Sequence, residues 1–159
     1  MLFTEIRWNV FVASLIIVYS VAFLGSVFTS NSVNSQWYEL VKPDFTPPNF
    51  IFPIVWNILF FLIALSLYFS WISARDISVK KTLVIVFGVN LFLNVLWSFV
   101  FFEMQNPKWA LFELFALWIS IIVMIYATYR INKISSCILV PYFLWVSFAG
   151  FLNYTISFG

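Results

Sequence analysis

The sequence predicts an all-α integral membrane protein, a bundle of five transmembrane helices. Hydrophobic residues make up 64% of the 159 residues and charged residues only 9%, which is more apolar surface than a soluble domain of this length buries in one core. Five apolar runs are each long enough to cross about 30 Å of hydrocarbon at about 1.5 Å per residue. The runs lack the period-two polar alternation of transmembrane β-strands, so each is predicted to be a helix.

The predicted helices follow one another with little sequence between them, except after the first. Their expected bounds are about 8–28, 49–74, 82–102, 109–129 and 137–158. Because the later connections are short, consecutive helices are expected to pack antiparallel in a single domain, residues 1–159. The odd number of helices argues against a simple inverted-repeat transporter.

The long connection after the first helix, residues 29–48, contains three kinds of sequence. "TSNSVNS" is polar and flexible, and "QWYELV" predicts a short amphipathic turn that rests Trp37, Tyr38 and Leu40 at the membrane surface. "KPDFTPP" is expected to be extended, because each proline fixes its own φ and disfavours helix at the residue before it. Loops of this length in compact bundles are commonly lids or binding loops. We therefore expect residues 29–48, hereafter the lid loop, to act as a lid.

Lysine and arginine are distributed unevenly between the two ends of the predicted bundle. One end has Arg7, Arg75, Lys80, Lys81, Arg130 and Lys133, and the other has Lys42 and Lys108. The positive-inside rule then places the N-terminus in the cytoplasm, with the lid loop and the C-terminus outside the cell membrane. The net charge of +2 follows from this topology and is not typical of a nucleic-acid-binding surface.

Two residue types restrict the chemistry. The sequence has no histidine and one cysteine, Cys137, so an internal disulfide is excluded and the usual ligand of zinc, copper or haem iron is missing. No metal site is expected, and we assign Cys137 no role.

Three predicted helices carry unusual faces, since residues three, four, seven and eleven apart share one side of a helix. In the third helix these residues are Asn90, Asn94, Trp97 and Phe101; in the second, Trp56 and Phe60; in the fifth, Trp145, Ala149, Leu152 and the following Asn153. Lipid disfavours carboxamides, so these faces are expected to point inward. Helix packing alone is an equally good explanation for any one of these residues. Together, however, they favour an aromatic-walled cavity for a large, flat, mostly apolar ligand.

Glu113 is the one acidic residue within a predicted span. It lies about one turn from the start of its helix, where water is near and the helix dipole favours a negative charge, so a structural role is favoured over a functional one. Ala116 and Ser120, on the same face, form a small-xxx-small pair that is more typical of a helix contact than of a site.

At this point the sequence resembles the TspO/MBR family of tryptophan-rich sensory proteins and translocator proteins. The segments that carry the resemblance are "WYELVKPDFTPP", "LNVLWSFVFF" and "PYFLWVSFAGFLNY". The resemblance implies a five-helix membrane protein, usually a homodimer, whose pocket beneath the first loop binds porphyrins and hydrophobic drug-like ligands. The positions that match the family's pocket and lid are Pro47, Pro48, Trp56, Asn94, Trp97, Trp145, Ala149 and Asn153.

The sequence also departs from the family pattern. Many members have tryptophan where Phe45 stands and tyrosine where Phe60 stands, and several have threonine where Gly150 stands. The segment "WYELVKP" is one residue shorter than the common form, so either Trp37 and Tyr38 are shifted or Trp37 occupies the tyrosine position. The cholesterol pattern proposed for eukaryotic members is incomplete, because no lysine or arginine follows Tyr154.

Three functional hypotheses remain open. The first is a membrane receptor or translocator that binds porphyrin as a ligand, with no other cofactor. The second is an enzyme in which Trp56 and Trp145 support light- and oxygen-dependent breakdown of bound porphyrin. The third is a regulatory scaffold that turns over no ligand.

Overall fold

The computed structural model describes residues 6–30 and 32–159, and these residues form helices and no strands. The helices are α1 (Trp8–Ser30), α2 (Gln36–Val41), α3 (Ile51–Ser73), α4 (Ile77–Ser98) with a π-helical turn (Phe99–Glu103), α5 (Pro107–Tyr129), α6 (Lys133–Ile138) and α7 (Val140–Phe158). In the described part of the chain, five segments are long and apolar enough to cross a membrane: α1, α3, α4 with the π turn, α5, and α6 with α7. The predicted fold class is confirmed.

Three spans begin earlier than the apolar runs suggested, because polar caps rather than hydropathy fix where a helix begins. The N-cap of α4 is Asp76, in extended conformation, instead of a residue near 82. The side chain of Asn106 accepts a hydrogen bond from the Trp109 backbone N–H and starts α5. Asn132 does the same for α6, which begins four residues before the expected 137. The side-chain oxygens of Asn106 and Asn132 satisfy backbone N–H groups that have no partner inside the helix, whereas Asp76 makes no side-chain cap hydrogen bond.

The core of the bundle lies between α3, α4, α5 and α7. Fully buried side chains from these helices include Ile63, Leu83, Leu117, Ile121, Met124 and Tyr142. At the end opposite the lid loop, small polar groups join α3 to the start of the last span. Ser66 Oγ donates to the Ser135 carbonyl over 2.9 Å, and Asn132 Nδ2 donates to Ser73 Oγ over 2.9 Å. Such short polar contacts let neighbouring helices approach closely.

The lid-loop helix α2 packs inward against the π turn of the third span. Tyr38 is 4% exposed, and its ring centroid lies 5.7 Å from that of Phe102. Trp37 contacts Phe101 with a centroid distance of 5.8 Å. The expectation that Tyr38 rests at the membrane surface is therefore wrong, whereas Trp37 is partly buried and Leu40 is exposed. The reason is the π turn, which turns the consecutive Phe101 and Phe102 both inward and gives α2 an aromatic surface to cover.

Candidate ligand cavity

A cavity of about 1100 Å³ lies beneath the lid loop and is bounded by α1, α3, α4 and α7. Its volume is at the upper end of the roughly 300–1,000 Å³ typical of small-molecule sites. Seven of the ten predicted site residues line it: Trp56, Phe60, Asn94, Trp97, Trp145, Ala149 and Asn153. The other three, Pro47, Pro48 and Asn90, are not part of its wall.

Two of the three predicted tryptophans are oriented by neighbouring aromatic rings. The Trp56 ring lies 5.5 Å from that of Phe60 and 6.2 Å, nearly edge-on, from that of Tyr142. The Trp145 ring meets Phe52 edge-on at 5.9 Å. These arrangements are the ones that aromatic quadrupoles favour. The indole rings are therefore held as rigid walls.

Trp97 is fixed on both of its sides. Its ring stacks on Phe101 with centroids 5.0 Å apart and planes 22° apart. Its indole N–H donates to Asn153 Oδ1 over 3.2 Å, and Asn153 Nδ2 donates to the Pro107 carbonyl over 2.8 Å. The third, fourth and fifth spans are thus joined at the cavity wall.

Asn90 and Asn94 have different positions although they share a helix face. Asn94 lines the cavity and donates to the Tyr142 hydroxyl over 3.1 Å. That hydroxyl donates to Asn90 Oδ1 over 3.2 Å, and Asn90 Nδ2 donates to Ser120 Oγ over 2.8 Å. Asn90 is 0% exposed, so it lies behind the wall and holds Tyr142 in place for Asn94.

The indole nitrogen of Trp145 is buried and, among the described residues, has no hydrogen-bond partner. Trp145 lines the cavity. A buried donor without a partner costs about 1–3 kcal/mol.

The lid loop is closed by Asn49, which follows Pro47 and Pro48. Asn49 Nδ2 lies within hydrogen-bonding distance of the Val33 carbonyl (3.1 Å), Asn34 Oδ1 (3.2 Å) and Glu39 Oε1 (3.2 Å). One amide group thus joins both ends of the loop. Pro47 and Pro48 lie beside this contact, and their fixed φ angles stiffen the segment of the chain that leads to Asn49.

Sequence reasoning missed the face of α1 that forms one side of the cavity. This face includes Tyr19, Ala22, Gly25, Ser26 and Thr29. The signal was present as small residues three or four positions apart, which is the spacing of one helix face. The Tyr19 hydroxyl also donates to the Asn57 carbonyl of α3 over 3.1 Å.

Glu113 lies away from the cavity wall, inside the bundle. Both carboxyl oxygens are buried and have no hydrogen-bond partner among the described residues. The expectation that Glu113 lies near water is therefore wrong. Of the small-xxx-small pair, Ser120 contacts α4 through Asn90, whereas Ala116 is exposed. Cys137 is a free, exposed cysteine, and the described residues contain no cluster of three or more His, Cys, Asp or Glu side chains able to hold a metal ion.

The fold and the cavity define a five-span membrane protein with a large aromatic chamber beneath an extramembrane loop. Residues 13–158 match the TspO/MBR family, and the chain belongs to this family. It is 42% identical to the tryptophan-rich protein TspO of Archaeoglobus fulgidus over 91% of this chain and 93% of the relative. It is 40% identical to the protein of the same name from Chlorobaculum tepidum, over 86% and 87% of the two chains. The translocator protein of Bos taurus is 31% identical over 83% of this chain and 79% of its own.

Proposed function

We propose that the protein binds porphyrins and other flat, mostly apolar ligands in the cavity beneath the lid loop. The observation that carries the proposal is the cavity wall, where three tryptophans from three helices, Trp56, Trp97 and Trp145, surround one space of about 1100 Å³. Each indole offers a broad apolar face for stacking. Family membership supports the same ligand class.

Apart from Lys42 of the lid loop, the described polar groups that line the cavity are neutral amides, hydroxyls and indoles, which suits such a ligand. Asn94 and Asn153 are held by hydrogen bonds within the bundle. A wall of this kind binds mainly through apolar contact and uses a small number of polar groups to set orientation. Haem is expected to gain nothing over metal-free porphyrin, because the sequence has no histidine to ligate its iron.

The proposal is tested by titrating purified protein in neutral detergent with metal-free porphyrin and with haem, in the dark. Binding should quench tryptophan fluorescence and shift the porphyrin absorbance band. Trp97→Ala, which removes one wall of the cavity, should weaken binding, whereas Trp109→Ala should leave it unchanged because Trp109 is exposed and outside the wall. A wild-type protein that quenches no more than detergent alone would contradict the proposal.

A second candidate function is the light- and oxygen-dependent breakdown of bound porphyrin. The observation that favours it is that two indoles from different helices, Trp56 and Trp145, border the same cavity. An excited porphyrin can exchange an electron with an indole in contact with it, or generate reactive oxygen beside it. A regulatory scaffold without ligand turnover remains the alternative if no ligand binds.

The topology and assembly of the protein are part of the proposal. We place the N-terminus in the cytoplasm and the C-terminus outside the cell, on the basis of the six-to-two distribution of basic residues. A reporter fused to the C-terminus should be active only on the external side. The homodimer typical of the family would use exposed apolar faces of the spans, which suit lipid equally well, so cross-linking in membranes is the direct test.

A further inference from the structure

The mouth of the cavity contains one charged side chain. Among the described residues that line the cavity, Lys42 of the lid loop is cationic and none is acidic. The rest of the wall is aromatic, aliphatic, amide or hydroxyl. Because a charge near a membrane is retained only where it has water or a partner, the ammonium marks the end of the cavity that faces the polar side of the bundle.

Among the described residues, the Lys42 ammonium has one ion-pair partner, Glu39. Its Nζ lies 2.7 Å from Glu39 Oε1, and the two side chains are 25% and 49% exposed. The hydrogen bond from Lys42 holds the pKa of the Glu39 carboxyl below its ordinary value, and a further bond from Asn49 acts in the same direction. The Glu39 carboxyl is therefore ionised at neutral pH. An exposed pair of this kind is worth only about 0–1 kcal/mol, so a second anion can compete for the lysine.

Tyr38 positions Lys42 but adds no charge. The Lys42 Nζ lies 5.9 Å from the centre of the Tyr38 ring, a distance at which the ring face attracts a cation. Burial raises the pKa of the Tyr38 phenol to about 12, so the phenol is neutral at physiological pH. Among the described residues that line the cavity, Lys42 is therefore the one that gives the mouth a positive charge.

We propose that Lys42 selects ligands that combine a flat apolar body with a carboxylate at one edge, by pairing its ammonium with that carboxylate at the mouth of the cavity. This inference rests on the proposed function and names the subclass of ligand, acidic rather than neutral tetrapyrroles. The apolar body lies among the tryptophans, and the carboxylate stays beside the lid loop, where water completes its solvation. Glu39 competes with the ligand for the same ammonium.

The test compares a porphyrin dicarboxylic acid with its dimethyl ester, which has the same ring and no charge. Affinities are measured in the dark by tryptophan quenching, in neutral detergent, with protein-free micelles as the blank. In the wild type the acid should bind about threefold to tenfold more tightly than the ester, as for a partly exposed charge-assisted hydrogen bond. Raising the salt concentration should reduce this preference.

Two variants and one matched control assign the preference to Lys42. Lys42→Met keeps a long apolar side chain over Tyr38 and should lose the preference by weakening acid binding alone. Glu39→Gln keeps an acceptor for Lys42 and Asn49 but removes the competing charge, so acid binding should strengthen by a factor of about two to five. Lys108→Met is the control, because Lys108 is at the same end of the bundle, with Nζ 5.6 Å from the centre of the Phe158 ring and outside the cavity wall.

The outcomes separate the inference from the proposed function. If the wild type binds acid and ester equally, or if Lys42→Met weakens both by the same factor, Lys42 selects no carboxylate and the inference is wrong, while porphyrin binding stands. If Lys108→Met removes the preference as fully as Lys42→Met, the effect is general surface charge and the inference again fails. If the wild type binds neither compound, the proposed function and the inference fall together.

Discussion

The indole N–H of Trp97 donates to Asn153 Oδ1 over 3.2 Å, across the boundary between α4 and α7. Asn153 simultaneously donates to the carbonyl of Pro107 in the first turn of α5 over 2.8 Å. One carboxamide thus fixes a cavity wall and ties three spans together near the lid loop. Neither bond is exposed to bulk solvent, since Asn153 is almost completely buried.

Asn153→Ala should lower the free energy of unfolding by about 1–3 kcal/mol, because it leaves the Trp97 N–H and the Pro107 carbonyl without partners. Thermal unfolding in neutral detergent measures the change. Ser157→Ala is the control, since Ser157 Oγ accepts a longer bond of 3.3 Å from the same amide. Equal losses in the two variants would contradict the importance of the Trp97 contact.

Asn49→Ala should loosen the lid loop. The variant loses the amide that reaches Val33, Asn34 and Glu39, so the loop opens more often and porphyrin should both enter and leave faster. Stopped-flow quenching measures both rates. Asn34→Ala removes one of the three acceptors and should have a smaller effect. Unchanged rates in Asn49→Ala would show that ligand does not pass the lid loop.

Gly150→Ala and Gly88→Ala should change stability in opposite directions. A Cβ at Gly150 would meet Leu114 Cδ2 at 3.0 Å, whereas a Cβ at Gly88 meets nothing within 4 Å. Alanine in an open helix position is favoured over glycine by about 0.5–1 kcal/mol, so Gly88→Ala should stabilise the fold. Gly150→Ala must displace the buried Leu114 and should destabilise it. The unfolding midpoints of the two variants in detergent are compared with that of the wild type. A stabilised Gly150→Ala would mean that Leu114 moves freely.

Glu113→Leu should stabilise the protein. Both Glu113 carboxyl oxygens are buried without a partner among the described residues, and removing such a group relieves about 1–3 kcal/mol of desolvation cost. Glu103→Gln, a change at an exposed acidic residue, should be neutral. Unfolding midpoints in detergent compare the two. A destabilised Glu113→Leu would show that the carboxyl has a role in the folded bundle that its contacts do not reveal.

The double variant Trp56→Phe with Trp145→Phe separates binding from photochemistry. Phenylalanine preserves much of the stacking area but is much harder to oxidise than indole, so porphyrin affinity should largely remain. Light-driven loss of porphyrin absorbance should fall sharply. If the wild type and the double variant bleach porphyrin at the rate seen in detergent alone, the enzyme hypothesis is wrong. Loss of all binding in a folded double variant would instead make these tryptophans the anchoring contacts.

The spans and the three tryptophan-bearing sides of the cavity could be predicted because they depend on local sequence. Hydropathy identifies membrane helices, and the 3.6-residue period alone places Asn94 and Trp97 on one inward face. The same period does not predict that Asn90 lies behind the wall. How deeply a residue is buried depends on which side chains of neighbouring helices cover it. Asn90 is covered through Tyr142 and Ser120, which come from other helices.

The sequence alone did not predict that α1 lines the cavity or that the lid loop packs against the π turn, and the reason is different. Small residues such as Gly25 and Ser26 suit lipid contact, helix packing and a cavity wall alike, so their pattern does not choose among the three. The inward position of Tyr38 depends on the π turn at Phe99–Glu103. Nothing in the "FVFFE" sequence distinguishes π winding from ordinary α-helix.

At that π turn, one side chain, Phe101, contacts both the lid loop and the cavity wall. Phe101 touches Trp37 and Tyr38 of α2 on one side and stacks on Trp97 on the other. Displacement of α2 would therefore expose Phe101 and change the surroundings of the Trp97 indole before any ligand arrives. In a variant that keeps Trp97 and replaces the other seven tryptophans with phenylalanine, the fluorescence of Trp97 should therefore report whether the entrance is open, without an added label.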